Sequence, residues 1–432
     1  MLEYQKMKYN STKLSNGLRV ITVPMASSES TTLTIWVKTG SRNEDKKING
    51  ISHFLEHMVF KGSSKRPSAK EISEVVDSFG GEFNAATSKD WTNFYIKCRN
   101  ASIETAFDVL SDMVLSPILK VEEIEREKGT IVQELAMYED TPMIKINDVF
   151  EELAFDNHPL SWDVGGNEKS VRSILKSDFE KYRREYYYPE NIIITVAGGI
   201  SEKKVLGLVN KYFKELKNSK TQEFKADKKF QVSQSQSRVK IRNKKSDQAH
   251  LILGFMGDGR EYGNRYAQSV LSTILGGGMS SRLFIEVRER RGLAYAVKTG
   301  IERYQETGYI STYIGTDPKK IEEAIAVTLE QYHGISNGQF PISNEELAKA
   351  KEYLKGHIAL GLEDTSAVNE FFAFQELFLD KVITPEELFK KIDSVGLDEV
   401  YEEAKRLFKK EKLNLAIIGP YKDESRFVKL LE

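Results

Sequence analysis

One cysteine, Cys98, stands in the whole 432-residue chain, so no internal disulfide braces it and the fold must rest on its core. A chain of this length has room for two or three domains with sizeable interiors. An excess of charge of either sign is also missing, since 63 basic residues face 64 acidic ones. No whole-chain field therefore draws the protein to nucleic acid or to an anionic membrane. Long apolar runs are absent too, none approaching the ~18 residues of a bilayer span. The segment Met1 to Asn10 is polar and has neither an apolar signal core nor an Arg-rich amphipathic pattern, so a cytoplasmic location is the expectation. With 40% hydrophobic and 29% charged residues, what is present is the composition of an ordinary globular protein. Cys98 closes the alternating run Thr92 to Cys98, which fits a half-buried strand carrying an inert core thiol.

Periodicity and punctuation order the elements. Strand-like runs at Gly17 to Pro24 and Thr31 to Thr39 precede helical runs at Gly50 to Phe60 and Ser68 to Phe79. A second strand pair, Gly81 to Thr87 and Thr92 to Cys98, follows, and after several helices the buried-strand run Asn191 to Gly198 leads into the amphipathic stretch Ser201 to Leu216. Residues 218–237 are rich in Lys, Gln and Ser, which is linker chemistry. Beyond them a similar order returns: strand-like Gln248 to Phe255, helical Tyr262 to Leu275 and Ser280 to Arg290, then strand-like Ala294 to Arg303 and Gly308 to Gly315. Leu413 to Gly419, followed by helical Glu424 to Leu431, echoes the close of the first half. The expected architecture is α+β and duplicated. Two similar domains, 1–217 and 238–432, each pair a largely antiparallel sheet with helices, because short strands arriving in neighbouring pairs favour hairpins.

Chemistry concentrates in Gly50 to Phe60. At ~100° per residue, Ile51, Phe54, Leu55, Met58 and Val59 share one side of a helix and His53, Glu56 and His57 the other. Two imidazoles at i and i+4 can reach one zinc ion, and a carboxylate beside them can take a proton from water without being a ligand. The pattern is H-x-x-E-H, the reverse of H-E-x-x-H. Such a centre needs a third ligand from another element. The helical run Val121 to Leu135 offers Glu127 and Glu134, seven apart and so on nearly the same side, with Ile124, Val132 and Leu135 for packing. One of these carboxylates could bind metal and the other support it.

Taken together, these residues resemble the pitrilysin family of inverzincin zinc peptidases, which includes insulin-degrading enzyme and the mitochondrial processing peptidases. The family pattern places a zinc-binding Glu about 76 residues after H-x-x-E-H and a second functional Glu seven before it. Here residues 58 to 133, 76 positions, separate His57 from Glu134, and Glu127 fills the other place. The resemblance implies His53, His57 and Glu134 as ligands of one Zn2+ per chain, Glu56 as general base, and Glu127 as a residue that orients a histidine. It continues through Phe79 to Ser88, where Asn84, Ala85 and Ala86 match the family's edge strand, which binds extended peptide as an added strand. In the second half, Leu275 to Phe284 and Arg288 to Tyr295 match the family's other signature. Arg288 and Tyr295 are there expected to grip substrate and stabilise the oxyanion. The glycines at 276–278 are not followed by G-K-[ST], which excludes a Walker loop.

The Tyr262 to Leu275 run, which answers the His53 helix in the second half, has no His and no matching Glu. His158, His250, His333 and His357 lack ligand-spaced partners and read as structural. The family's short two-domain type further implies a homodimer that closes a chamber around composite active sites. Its substrates would be oligopeptides or unfolded segments. Two alternatives are a non-catalytic scaffold subunit of the same fold and a peptidase dedicated to one precursor.

Overall fold

The computed structural model describes residues 7–216, 230 and 238–431. The chain divides into two compact units. The first comprises Met1–Ala136, Trp162–Asp227 and Ala359–Glu386. The second comprises Met137–Ser161, Lys228–Ile358 and Glu387–Glu432.

The first unit holds a sheet of six strands: β1 (Asn10–Lys13), β2 (Arg19–Pro24), β3 (Ser30–Val37), β4 (Glu82–Thr87), β5 (Thr92–Arg99) and β6 (Ile192–Gly198). Their order is β1-β2-β6-β3-β5-β4. Only the β2 and β6 pair is parallel; the other ladders are antiparallel. The all-apolar, β-branched reading of β6 follows from its central place, where both faces are covered and every residue is buried. Along β3, Leu33, Ile35 and Val37 point into a core shared with the helices Ile51–Val59 and Ile103–Leu115. Trp36 points to the opposite face. There it meets the helix Thr365–Phe378 through Ala373 and Leu377, while Ile21 and Val23 of β2 meet Val368 and Phe372. A buried polar anchor fixes that helix. Asn369 donates to the carbonyls of Thr32 at 3.1 Å and Thr195 at 2.9 Å, and accepts from Trp36 Nε1 at 3.3 Å.

The second unit holds β7 (Arg238–Asn243), β8 (Ala249–Asp258), β9 (Ala294–Arg303), β10 (Thr307–Thr316) and β11 (Leu413–Gly419), in the order β7-β11-β8-β10-β9. β7 and β11 run parallel and the remaining pairs antiparallel. Leaving β1 aside, this is the order of the first sheet strand for strand, so the duplication read from the sequence is real at the level of topology. One face packs on the helices Arg265–Gly276, Ile321–Ser336 and Leu397–Leu407. The other face is covered by the helix Pro142–Phe155, whose Ile146, Val149 and Phe150 lie against Ile252, Met256 and Ile418. Here too a buried polar group anchors the helix, since Glu151 accepts from the hydroxyls of Tyr304 and Tyr309.

Both α+β sheets are therefore mixed and largely antiparallel, as expected, but the units are interleaved rather than consecutive. The stretches 1–217 and 238–432 each give up one helix to the sheet built mainly from the other, because every sheet needs its second face covered. The proposed 218–237 linker lies outside the described residues apart from Phe230. Two strands are additional to those expected: β1, whose sequence NSTK has no apolar residue, and β7, where Val239 and Ile241 alternate with charged residues in RVKIRN. The helical run expected at Ser280 to Arg290 holds a π-helix at Phe284–Glu289.

Candidate metal centre and active site

The Ile51–Val59 helix buries Ile51, Phe54, Leu55, Met58 and Val59 and leaves His53, Glu56 and His57 only partly covered. Its start is fixed from two directions. Gly50 has φ of 98°, and a Cβ there would lie 2.5 Å from the Gly165 carbonyl oxygen, so only glycine fits. The buried Glu44 carboxylate then caps the helix, accepting from the N–H groups of Gly50 at 2.7 Å and Ser52 at 2.8 Å and from Asn49 Nδ2 at 2.9 Å. Burial pushes the Glu44 carboxyl up to about 7, against these hydrogen bonds.

The helix Val121–Glu139 brings Glu127 and Glu134 to the polar face of the first. The Nε2 atoms of His53 and His57 face each other at 3.2 Å. Glu134 places Oε1 3.7 Å from His53 Nε2 and Oε2 3.4 Å from His57 Nε2. The three potential ligand atoms lie within 4.8 Å of one another, and this is the one metal-capable cluster among the described residues. Zinc bound tetrahedrally by two imidazoles at 2.0–2.1 Å separates their nitrogens by about 3.3 Å. Two imidazole nitrogens, an adjacent carboxylate and that spacing together fit zinc.

Glu127 is 3% exposed and divides its oxygens between His57 Nδ1 at 2.8 Å and Lys61 Nζ at 2.7 Å. Burial raises its carboxyl, but His57 and Lys61 outweigh that and hold it below its ordinary value. An ionised carboxylate only accepts, so His57 Nδ1 carries a proton and Nε2 is the nitrogen presented to the cluster. For His57 burial works downward, yet Glu127 and Glu134 outweigh it and raise the imidazole to about 9. His53 moves the other way, to about 4, through burial and the charge of His57, partly offset by Glu134 and Asp163. Its Nδ1 is buried without a hydrogen-bond partner.

Glu56 lies beside the ligands. Burial pushes its carboxyl up, against a hydrogen bond from Thr87 Oγ1 at 2.5 Å. Thr87 is the last residue of β4, the edge strand, on which Asn84 and Ala86 are exposed while Phe83, Ala85 and Thr87 are half-buried. Asn84 Oδ1 accepts from the Ala85 N–H at 2.9 Å. Thr87 escaped the sequence reading, although alternation along β4 puts it on the face of Phe83 and Ala85; only the fold shows that this face meets Glu56.

His53, Glu56, His57, Glu127 and Glu134 thus converge in the first unit, next to the strand bearing Asn84, Ala85 and Ala86. Arg288 and Tyr295 lie in the second unit and are brought to each other. The Arg288 guanidinium sits 4.7 Å from the Phe284 ring centroid and 5.4 Å from that of Tyr295, which is 78% exposed. Of the other histidines, His158 accepts from the Leu160 N–H, His250 bonds the Tyr313 hydroxyl and His357 packs on Tyr353.

Residues 19–167 match the family model for Insulinase (Peptidase family M16), and residues 173–354 that for the Peptidase M16 inactive domain. The uncharacterized zinc protease YmxG of Bacillus subtilis is 36% identical over 407 residues, 94% of this chain and 97% of that protein. The chain belongs to peptidase family M16. An uncharacterized zinc protease of Streptomyces coelicolor is 33% identical over 416 residues, covering 96% of this chain and 90% of the relative. A crystal structure of a protease from Helicobacter pylori superposes with a TM-score of 0.87 at 26% identity, covering 96% of this chain and all of that one. The two M16 models fall on the two halves of the chain, and the half matched by the inactive-domain model holds no metal-capable cluster among its described residues. No helix among the described residues is long and apolar enough to cross a membrane.

Proposed function

We propose that the protein is a zinc-dependent endopeptidase acting on oligopeptides or unfolded segments. The observation that carries this reading is the convergence of the His53, His57 and Glu134 ligand atoms with the Glu56 carboxylate beside an exposed strand edge. A zinc ion held by those three side chains would polarise a scissile carbonyl and acidify water. Glu127 holds the His57 ring in the tautomer that presents Nε2. β4 offers main-chain hydrogen bonds to an extended peptide, which accepts many sequences and requires an unfolded one. Glu56 takes a proton from water and returns it to the leaving amine. Arg288 and Tyr295 grip the substrate and stabilise the oxyanion. In the homodimer we propose, these two residues come from the partner chain, and the chamber so formed admits flexible peptides.

Replacing Glu56 by Gln tests the reading. Zinc stays bound, measured by metal analysis after gel filtration, while cleavage of a quenched unfolded peptide is lost. Equal turnover by variant and wild type overturns the assignment of the base, and a wild type that binds zinc and cleaves nothing favours the scaffold alternative.

A further inference from the structure

The hairpin that carries Thr87 is pinned to the same loop that caps the metal-site helix. The N–H of Ser41 donates to the Ser88 carbonyl at 3.1 Å and that of Arg42 to the Lys89 carbonyl at 3.0 Å. A buried ion pair at 3.0 Å joins Arg42 to Asp90, both side chains 3% exposed, and Lys89 donates to the Trp162 carbonyl. Within the hairpin, Ser88 N–H donates to the Trp91 carbonyl at 2.8 Å, and Thr92 Oγ1 donates to the Thr39 carbonyl at 3.0 Å. Two residues beyond Arg42, Glu44 holds the first N–H groups of the Ile51–Val59 helix. One loop, Thr39 to Glu44, therefore sets both ends of the contact between Thr87 and Glu56. Losing one partner of so deeply buried a pair is destabilising, so the Arg42–Asp90 contact ties the hairpin to this loop.

We propose that Thr87 is a positioning residue for Glu56: its hydroxyl holds Oε2 and turns the other carboxylate oxygen toward the reacting water. This inference rests on the reading of Glu56 as the base. Because Thr87 belongs to the edge strand, the strand that receives the peptide and the group that handles the proton share one rigid element. A carboxylate is effective as a base only when held close to its working geometry, and a hydrogen bond to an ionised group is among the stronger contacts available for that.

The test compares Thr87→Val, which keeps the shape and removes the hydroxyl, with Thr87→Ser, which keeps the hydroxyl, alongside Glu56→Gln. With Thr87→Val, kcat falls about 10- to 100-fold, while KM and zinc affinity by chelator competition stay within about twofold of wild type. Thr87→Ser restores most of kcat. A Thr87→Val protein with wild-type kcat, a Thr87→Ser protein as slow as Thr87→Val, or a Thr87→Val protein with weakened zinc binding overturns the proposal. Crystal structures give a readout that needs no turnover: the Glu56 carboxylate rotates away from its wild-type position in Thr87→Val and keeps it in Thr87→Ser, and an unmoved carboxylate in Thr87→Val also overturns it. Loss of activity in Thr87→Val together with full activity in Glu56→Gln sinks the reading of the base, not the contact.

Discussion

A carboxylate that accepts from two donors at once can hold an imidazole still, and Glu127 does so between His57 and Lys61. Replacing it by Gln keeps the shape and removes the charge. We expect Glu127→Gln to weaken zinc binding by about 10- to 100-fold, read by chelator competition, with the circular dichroism spectrum unchanged. A second buried carboxylate, Glu403, is expected to contribute to acid sensitivity. Burial pushes its carboxyl up, but Arg406, Tyr262 and Gln268 outweigh this and hold it below the ordinary 4.5. A depressed folded-state pKa contributes stability that is present above the unfolded value and lost as the pH falls through the folded one. The melting temperature of wild type should therefore exceed that of Glu403→Gln most at neutral pH, and the gap should close below pH 4.5. A gap that widens in acid contradicts the assignment.

At the scale of elements, the metal-site helix was the most legible part of the sequence, because a 3.6-residue period with two imidazoles on the polar side needs no long-range information. Its beginning was not legible: Gly50 is required by the nearness of the Gly165 carbonyl, and the cap comes from Glu44 across a loop. Gly50→Ala should cost about 2 kcal/mol of stability through the left-handed backbone alone, with the clash added, measured by denaturant midpoint. Also hidden was the partner of each covering helix. Amphipathicity says that Thr365–Phe378 and Pro142–Phe155 each bury a face, but both sheets present apolar faces and nothing local says which is taken. The anchors decide it, Asn369 on Thr32, Thr195 and Trp36, and Glu151 on Tyr304 and Tyr309. Asn369→Ala should cost about 1–3 kcal/mol, seen as lost amide-exchange protection in Thr365–Phe378 and β6.

For the whole molecule, the proposed pairing of chains makes a complementation experiment decisive. Glu56→Gln and Arg288→Ala are each expected to be inactive alone. Mixed and allowed to exchange, they should recover cleavage, since a mixed dimer holds one site with Glu56 from one chain and Arg288 from the other. No recovery, with exchange verified by mass, means that each chain uses its own Arg288. The grouping of His53, Glu56 and His57 on one helix face could be read from the chain because it is a local property, whereas the choice of Glu134 over Glu127 as the third candidate ligand came from the family resemblance. A site shared between chains would not be local, and the proposal of one rests on the resemblance to M16 peptidases alone.

The interleaved units also set an order of events during synthesis. Ile21, Val23, Trp36 and Ile193 are made in the first half of the chain, but the residues that cover them, Val368 to Leu377, leave the ribosome near the end. Until then the first sheet has an apolar face with nothing of its own to bury it, the condition in which nascent domains aggregate. A chain truncated before Thr365 would lack the helix that covers this face of the first sheet, and it is expected in the insoluble fraction when cell lysates are separated.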